Sequence, residues 1–212
     1  MPEPNDALPV WPANLKSIHT GASLSASPNP ELLLGEALHA LSTVPDWRSV
    51  LDALPAPIYT TDAKGAVTYW NHACVALAGR VPQLGRDRWC VTWRIYTTTG
   101  EHMPHDECPM AEAIKTREPV RDKVAIALRP DGSRVAFRPY PTPIFDSDGE
   151  FTGAINMLVD VSEEQVEALS VQADRCRRLA DATFNREVSQ MLGSMADDYD
   201  RTACDLSKKR SA

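Results

Sequence analysis

From residue 162 to residue 206 the chain contains no proline and a single glycine, although it carries 17 prolines elsewhere. A stretch this free of helix breakers, with apolar residues every third or fourth position at Val166, Leu169, Ala173, Cys176, Leu179 and Ala180, reads as a long helix. The Thr183-Phe-Asn-Arg186 stretch interrupts it, and Val188, Met191, Leu192, Met195 and Tyr199 continue the pattern on a second helix. Neither helix buries its stripe alone, so the pair must fold on itself, on the preceding domain or on a second subunit. A hairpin and a continuous coiled coil both satisfy that requirement. Whatever precedes residue 162 is therefore a domain that hands its chain to a helical appendage.

Upstream the pattern changes. Residues 1–30 hold six prolines among Ser, Ala and Asn and read as a flexible arm. A short amphipathic helix follows within 31–47, opened by Pro30 behind a candidate Asn29 cap, with Leu34, Leu38 and Leu41 on one stripe. A second, Asp46 to Leu54, is stopped by Pro55 and Pro57. The period then becomes that of strands. Ile58 to Asp62 and Val67 to Trp70 flank the turn Ala63-Lys64-Gly65, Asn71 to Gly79 reads as a short helix, and Cys108 to Arg117 as another. Three further strands, Val120 to Leu128, Arg134 to Pro141 and Glu150 to Asp160, are separated by Arg129-Pro-Asp-Gly-Ser133 and Asp146-Ser-Asp-Gly149. The expected fold is α+β, a five-stranded antiparallel sheet over residues 48–163 with flanking helices, a helical tail over 164–206 and a disordered basic end at 207–212.

Composition narrows the function. With 29 acidic against 22 basic side chains the net charge is -7, which disfavours a surface built to track a phosphate backbone, so no nucleic-acid partner is expected. No apolar run approaches the roughly 20 residues that span a bilayer, and no basic, apolar leader opens the chain. A cytoplasmic, non-membrane location is the expectation. The five cysteines, at 74, 90, 108, 176 and 204, form no CxxC pair and read as reduced thiols. No Gly-rich nucleotide loop or nucleophile elbow occurs, and no nucleophile, base and orienter come together in the sequence, so no catalytic residue is assigned and an enzyme is not expected.

The order of elements and the residues themselves resemble the PAS family of sensory domains. LDALPAPIYTTDAKGAVTYWNHAC, from Leu51 to Cys74, is similar to the start of many PAS modules, and RPDGSRVAF and DGEFTGAINMLVDVSE to their last hairpin and closing strand. The exit Asp160-Val161-Ser162-Glu163 resembles the motif that joins a PAS core to its signalling helix. GRDRWCVTWRIYTTTGEHMPHDECPMAEAI, residues 85–114, looks like a bacterial subgroup often found ahead of sensor histidine kinases, and ADRCRRLADAT with MLGSMADDYDRTA like a tail of small alphaproteobacterial proteins. The resemblance implies a stand-alone bacterial sensor or adaptor. It would be homodimeric through Leu34, Leu38, Leu41, Val166, Leu169, Cys176 and Leu179, and would act on a separate output protein such as a histidine kinase.

The resemblance also frames the candidate sites. PAS domains use haem, and His102, His105 and Cys108, three residues apart, supply imidazole and thiolate that suit haem iron; the alternative is that Pro109 simply starts a helix capped by Asp106 or Glu107 over a buried Cys108. The cofactor itself stays unknown, and no separate metal site is expected. A flavin adduct at Cys90 is not expected, because the Asn and the Arg-Phe of the light-oxygen-voltage motif are absent around it. Trp70, Asn71, Trp89, Trp93, Phe137 and Asn156, with Arg94, Tyr96, Tyr140, Phe145 and Met157, are candidates to line a ligand cavity or else to be ordinary core. A third reading is a ligand-free interaction module.

Overall fold

The computed structural model describes residues 29–208, so residues 1–28 of the arm expected over 1–30 and the last four residues lie outside it. Asn29 accepts the Glu31 N–H at 3.0 Å and Pro30 takes the first helical position of α1 (Pro30–Thr43). Helix α2 (Trp47–Ala53) ends before Pro55. Strands β1 (Ile58–Asp62) and β2 (Val67–Trp70) form a hairpin, and α3 (His72–Ala78) closes on Gly79 in the left-handed conformation. A long connection carries β3 (Arg94–Tyr96), β4 (His102–Met103), a 3-10 turn (His105–Glu107) and α4 (Pro109–Thr116). Strands β5 (Ala125–Leu128), β6 (Arg134–Pro139), β7 (Thr142–Phe145) and β8 (Phe151–Asp160) complete the sheet, and α5 (Ser162–Ala182) and α6 (Arg186–Ser207) follow.

The sheet is antiparallel in the order β2-β1-β8-β6-β5-β3-β4, with β7 also paired to β8. It therefore has more strands than the five expected: the short β3–β4 hairpin extends one edge, and β7 shares with β6 the edge of β8 opposite β1. The strand expected to begin at Val120 begins only at Ala125, and β6 stops at Pro139.

Two hairpin turns repeat one design. Asp62 accepts the N–H groups of Lys64 and Ala66, and Asp146 those of Asp148 and Glu150, all at 2.9–3.0 Å, while Gly65 and Gly149 supply positive φ. Gly153 answers a different demand. A Cβ there would stand 2.0 Å from the Thr61 carbonyl oxygen, so only glycine lets β1 approach β8 at that register.

Strand alternation sorts side chains onto two faces. Tyr59, Ala125, Ala127, Val135, Phe137, Ala154 and Leu158 face inward, beneath the connection that runs from α3 through α4. Ile58, Ile155 and Met157 face the other way and are covered by Leu34, Ala37 and Leu51 of α1 and α2. Further along that outer face, Ile126 and Ala136 are covered by Leu169 of α5 and by Ala203 and Leu206 of α6. Each fully buried leucine of this kind contributes about 2 kcal/mol of burial.

The tail is a hairpin. Thr183 leaves the helical conformation, Asn185 caps α6 by accepting the N–H groups of Glu187 and Val188, and α6 returns antiparallel along α5. Ala173, Cys176 and Ala196 let the two backbones approach, with Leu192 and Tyr199 beside them. The stripes assigned to dimer contacts are thus occupied within one chain: Leu34, Leu38 and Leu41 lie against the sheet, and Val166, Leu169 and Cys176 against the sheet or α6. Leu179 alone of that set is left exposed.

Candidate functional site

The inner face sets a small polar network among apolar side chains. The Tyr59 hydroxyl donates to the Trp89 carbonyl at 2.9 Å and accepts from Asn156 Nδ2 at 3.0 Å; Asn156 Oδ1 in turn accepts the Tyr140 N–H at 2.9 Å. Cys90 Sγ lies 3.1 Å from Thr92 Oγ1, and Cys108 Sγ 4.0 Å from the Trp89 carbonyl. Burial, then the neighbouring thiols, pushes the Tyr59 hydroxyl above its ordinary pKa, and burial first and Cys90 second push the Cys108 thiol up to about 12. Burial likewise raises Cys74 to about 12, so both thiols stay protonated near neutrality. Thr61, two residues along β1 on the same face, carries the one buried side-chain oxygen among the described residues with no hydrogen-bond partner.

A strap of backbone joins this interior to the surface. Residues 87–89 run beside the start of β2, with Val67 N–H donating to Asp87 and Trp89 N–H to Gly65. Cys90 N–H then donates back to Arg88 at 2.7 Å, which closes a three-residue turn with Trp89 at φ 67. That is the rare, strained hand of the γ-turn, and holding a tryptophan there costs about 1–3 kcal/mol. Gly65 makes room for the ring, since a Cβ there would lie 2.3 Å from the Trp89 ring carbons.

The expected cavity residues divide. Phe137 and Asn156 are buried in the interior, Met157 points to the outer face, and Trp70 and Trp89 pack half-buried against the inner cluster. Trp93 is 42% exposed and Phe145 48% exposed, so both look outward. Asn71 has a different task from lining a cavity. Its side chain accepts the Ile58 N–H at 3.0 Å and donates to the Leu51 and Ala56 carbonyls at 3.0 and 2.8 Å, pinning β1 to the end of α2. Sequence reading, which counted Asn71 among the residues of a ligand cavity, missed this because its three partners are 13 to 20 residues away in the chain.

His102, His105 and Cys108 do not converge. His102 is exposed on β4 with its ring edge against Tyr96, His105 Nε2 is bonded to the Thr92 carbonyl at 3.1 Å, and Cys108 is sealed in the core. No set of three His, Cys, Asp or Glu side chains among the described residues is placed to hold a metal ion. The three therefore do not form one shared ligand set. Cys108 itself caps α4 and Pro109 opens it, while Asp106 and Glu107 belong to the preceding 3-10 turn rather than to the cap.

At the exit, β8 passes into α5 without a loop. Val161 N–H donates to the Ala136 carbonyl at 2.9 Å, Ser162 Oγ accepts the Ala136 N–H at 3.1 Å, and Asp160 Oδ1 accepts the Ser162 N–H at 3.0 Å. Val161 is buried under the helical hairpin and Glu163 is exposed in the first turn of α5. Both polar groups of one β6 residue thus hold the first turn of the helix.

No curated protein matches the sequence. Among solved structures, the light-oxygen-voltage protein of Rhodobacter sphaeroides aligns over 84% of this chain and 96% of its own at 11% identity, with a TM-score of 0.44. An RNA-binding light-oxygen-voltage receptor aligns at 20% identity and a TM-score of 0.45, over 69% of this chain; the chain spans only 38% of that receptor. The PAS domain of a Colwellia psychrerythraea protein aligns at 15% identity and a TM-score of 0.38, over 54% of this chain and 92% of its own. No helix among the described residues is long and apolar enough to cross a membrane. A family model described as the PAS fold matches residues 51–166, more than half of the 212 residues, and on that match the chain belongs to the PAS family.

Proposed function

We propose that the protein is a sensory module whose PAS core passes its state to a partner through the α5–α6 hairpin rather than by catalysis. The observation that carries this reading is the direct clamp of Ala136 on Val161 and Ser162, which leaves no slack between sheet and helix. A ligand or partner that favours one arrangement of the inner face then biases the helix, provided its affinity differs between the two arrangements. The polar interior is suited to that role, because exchanging hydrogen bonds about Tyr59 and Asn156 needs no cavity to open in an apolar core.

The output surface in this reading is the ridge that the hairpin leaves bare. Leu179, Phe184, Val188, Met191 and Met195 are all exposed, and Val188, Met191 and Met195 on α6 follow the three-and-four spacing of a coiled-coil seam. Self-complementary pairing of two such ridges makes a four-helix bundle from two copies, and it places the dimer seam on α6, not on the stripes used within the chain. A kinase or other output protein would read that bundle.

Two measurements test the reading on the full chain. Tyr59→Phe is expected to speed amide exchange at residues 162–169 several-fold, and Ser162→Ala to blunt that response; exchange in α5 that ignores the interior substitution overturns the transmission. Sedimentation should show a dimer that Met191→Glu with Met195→Glu dissociates. A wild-type monomer at every concentration, or a dimer indifferent to both charges, overturns the ridge as its seam.

A further inference from the structure

On the solvent side of the strap lies an open cleft of about 530 Å³, walled by Arg80, Arg86, Arg88, Trp93, His105 and Asp106. The lining carries three arginines, Arg80, Arg86 and Arg88, against two carboxylates, Asp87 and Asp106, within a chain of net charge -7. The arginines are not equivalent. Arg80 is committed to Asp87 and the Val91 carbonyl, and Arg88 donates to the Lys64 carbonyl while lying over the Trp89 ring. Arg94 rests on the Trp93 indole, 4.5 Å from its centroid. The Arg86 guanidinium enters no ion pair or hydrogen bond among the described residues, and the Trp93 indole, which lines the same cleft and carries Arg94 on one face, is 42% exposed.

An uncommitted guanidinium and a part-exposed indole lining one cleft suit a ligand that has both an oxyanion and a flat ring. The fork of Arg86 matches a carboxylate or phosphoryl group in two parallel, charge-assisted hydrogen bonds, and the indole offers a stacking surface. We propose that this cleft binds a small planar anion, an aromatic carboxylate or a nucleoside monophosphate. The cleft volume falls within the roughly 300–1,000 Å³ usual for small-molecule sites. Charge decides between a small anion and a polyanion. At physiological salt fields decay over about 8 Å, so a small ligand feels the local arginines, whereas an extended polyanion also meets the acidic remainder of the surface.

The cleft has a route inward. Its floor is the strained Arg88–Trp89–Cys90 turn, and the Trp89 carbonyl on the far side of that turn accepts the Tyr59 hydroxyl. Cross-strand pairing then sets Tyr59 opposite Asn156 on β8, the strand that runs into α5. Occupancy of the cleft bears directly on the residue whose strain the interior holds in place. This last step rests on the sensory reading above; the binding does not.

Titration calorimetry of the full chain with benzoate, adenosine monophosphate, inorganic phosphate and a short single-stranded oligonucleotide tests the site. Saturable binding of benzoate or adenosine monophosphate is expected, stronger than that of phosphate alone, with each arm telling which oxyanion is preferred. R86E should weaken it at least about tenfold. That variant is expected to keep the wild-type melting temperature, because the replaced guanidinium supports nothing. Trp93→Ala should reduce the discrimination between ringed anions and phosphate. No saturable binding of either ringed probe, affinity unchanged in R86E, or an oligonucleotide bound more tightly than adenosine monophosphate overturns the proposal. Amide shifts on binding that stay within residues 80–106 uphold the cleft and count against the sensory transmission instead.

Discussion

The two faces of the sheet are held by different physics. Outward, Ile58, Ile155, Met157, Ile126 and Ala136 meet leucines and alanines from α1, α2, α5 and α6 in dry contact. Inward, the same strands present Tyr59, Thr61 and Asn156 to a connection that contributes Cys74, Cys90, Thr92 and Cys108. Dry packing has one good solution, because any shift opens a void that nothing fills. The few hydroxyls, thiols and amides set among the apolar side chains of the inner face have an alternative, because they exchange partners without opening a void as long as each group finds another. The outer face is therefore the frame of the molecule and the inner face the part with alternatives.

Substitutions at pins and at packing break this contrast in different ways. The largest effect should come from Asn71→Leu, which leaves the Ile58 N–H and the Leu51 and Ala56 carbonyls buried without partners; at about 1–3 kcal/mol per orphaned group, urea unfolding should report a loss of about 4 kcal/mol. A loss below about 1 kcal/mol would show that water reaches those groups. Leu34→Ala on the dry face should cost about 3 kcal/mol and leave the inner face untouched, with unchanged amide shifts at Tyr59 and Cys90 as the check. Gly65→Ala, at φ +82 and against the Trp89 ring, should cost about 2 kcal/mol and shift tryptophan emission as the indole is displaced.

The smallest effect is a pH dependence at His105. Burial holds its imidazolium below the ordinary 6.5, with Arg80 acting in the same direction and Asp87 and the Thr92 carbonyl against it. The unfolded chain then takes up the proton first as pH falls. The stability that neutral His105 contributes is intact above about pH 6.5 and is lost progressively below it, down to the folded-state value. Urea midpoints should fall on acidification through that window, and less steeply in His105→Gln. Parallel slopes in the two proteins would assign the pH dependence to other groups.

The sequence made the frame legible and left much of the site hidden. Asp62 and Asp146 announce their turns because an Asp with Gly three residues on meets both the hydrogen-bond and the φ requirement locally. The helical period visibly breaks over 183–186, where Asn185 proves to be the cap of α6. Strands β3 and β4, of three and two residues, are too short to show alternation, and Pro143 masks β7. Helical period shows that Val166, Leu169 and Cys176 are buried but cannot say against what, which is why they read as a dimer seam. The turn at Trp89 had no local signal at all, since a bulky residue with positive φ is held there only by its tertiary partners Gly65 and Tyr59.

Strand β8 pairs with β1, β6 and β7, and it alone joins the β1–β2 hairpin to the β3-to-β6 meander. During synthesis from the N-terminus, the two halves of the sheet wait for the last strand to be made. Until residue 160 is available they have no shared edge, and the polar inner face has no lid that fits. The domain is thus a late folder in its own translation, completed just before the helices that would report its state.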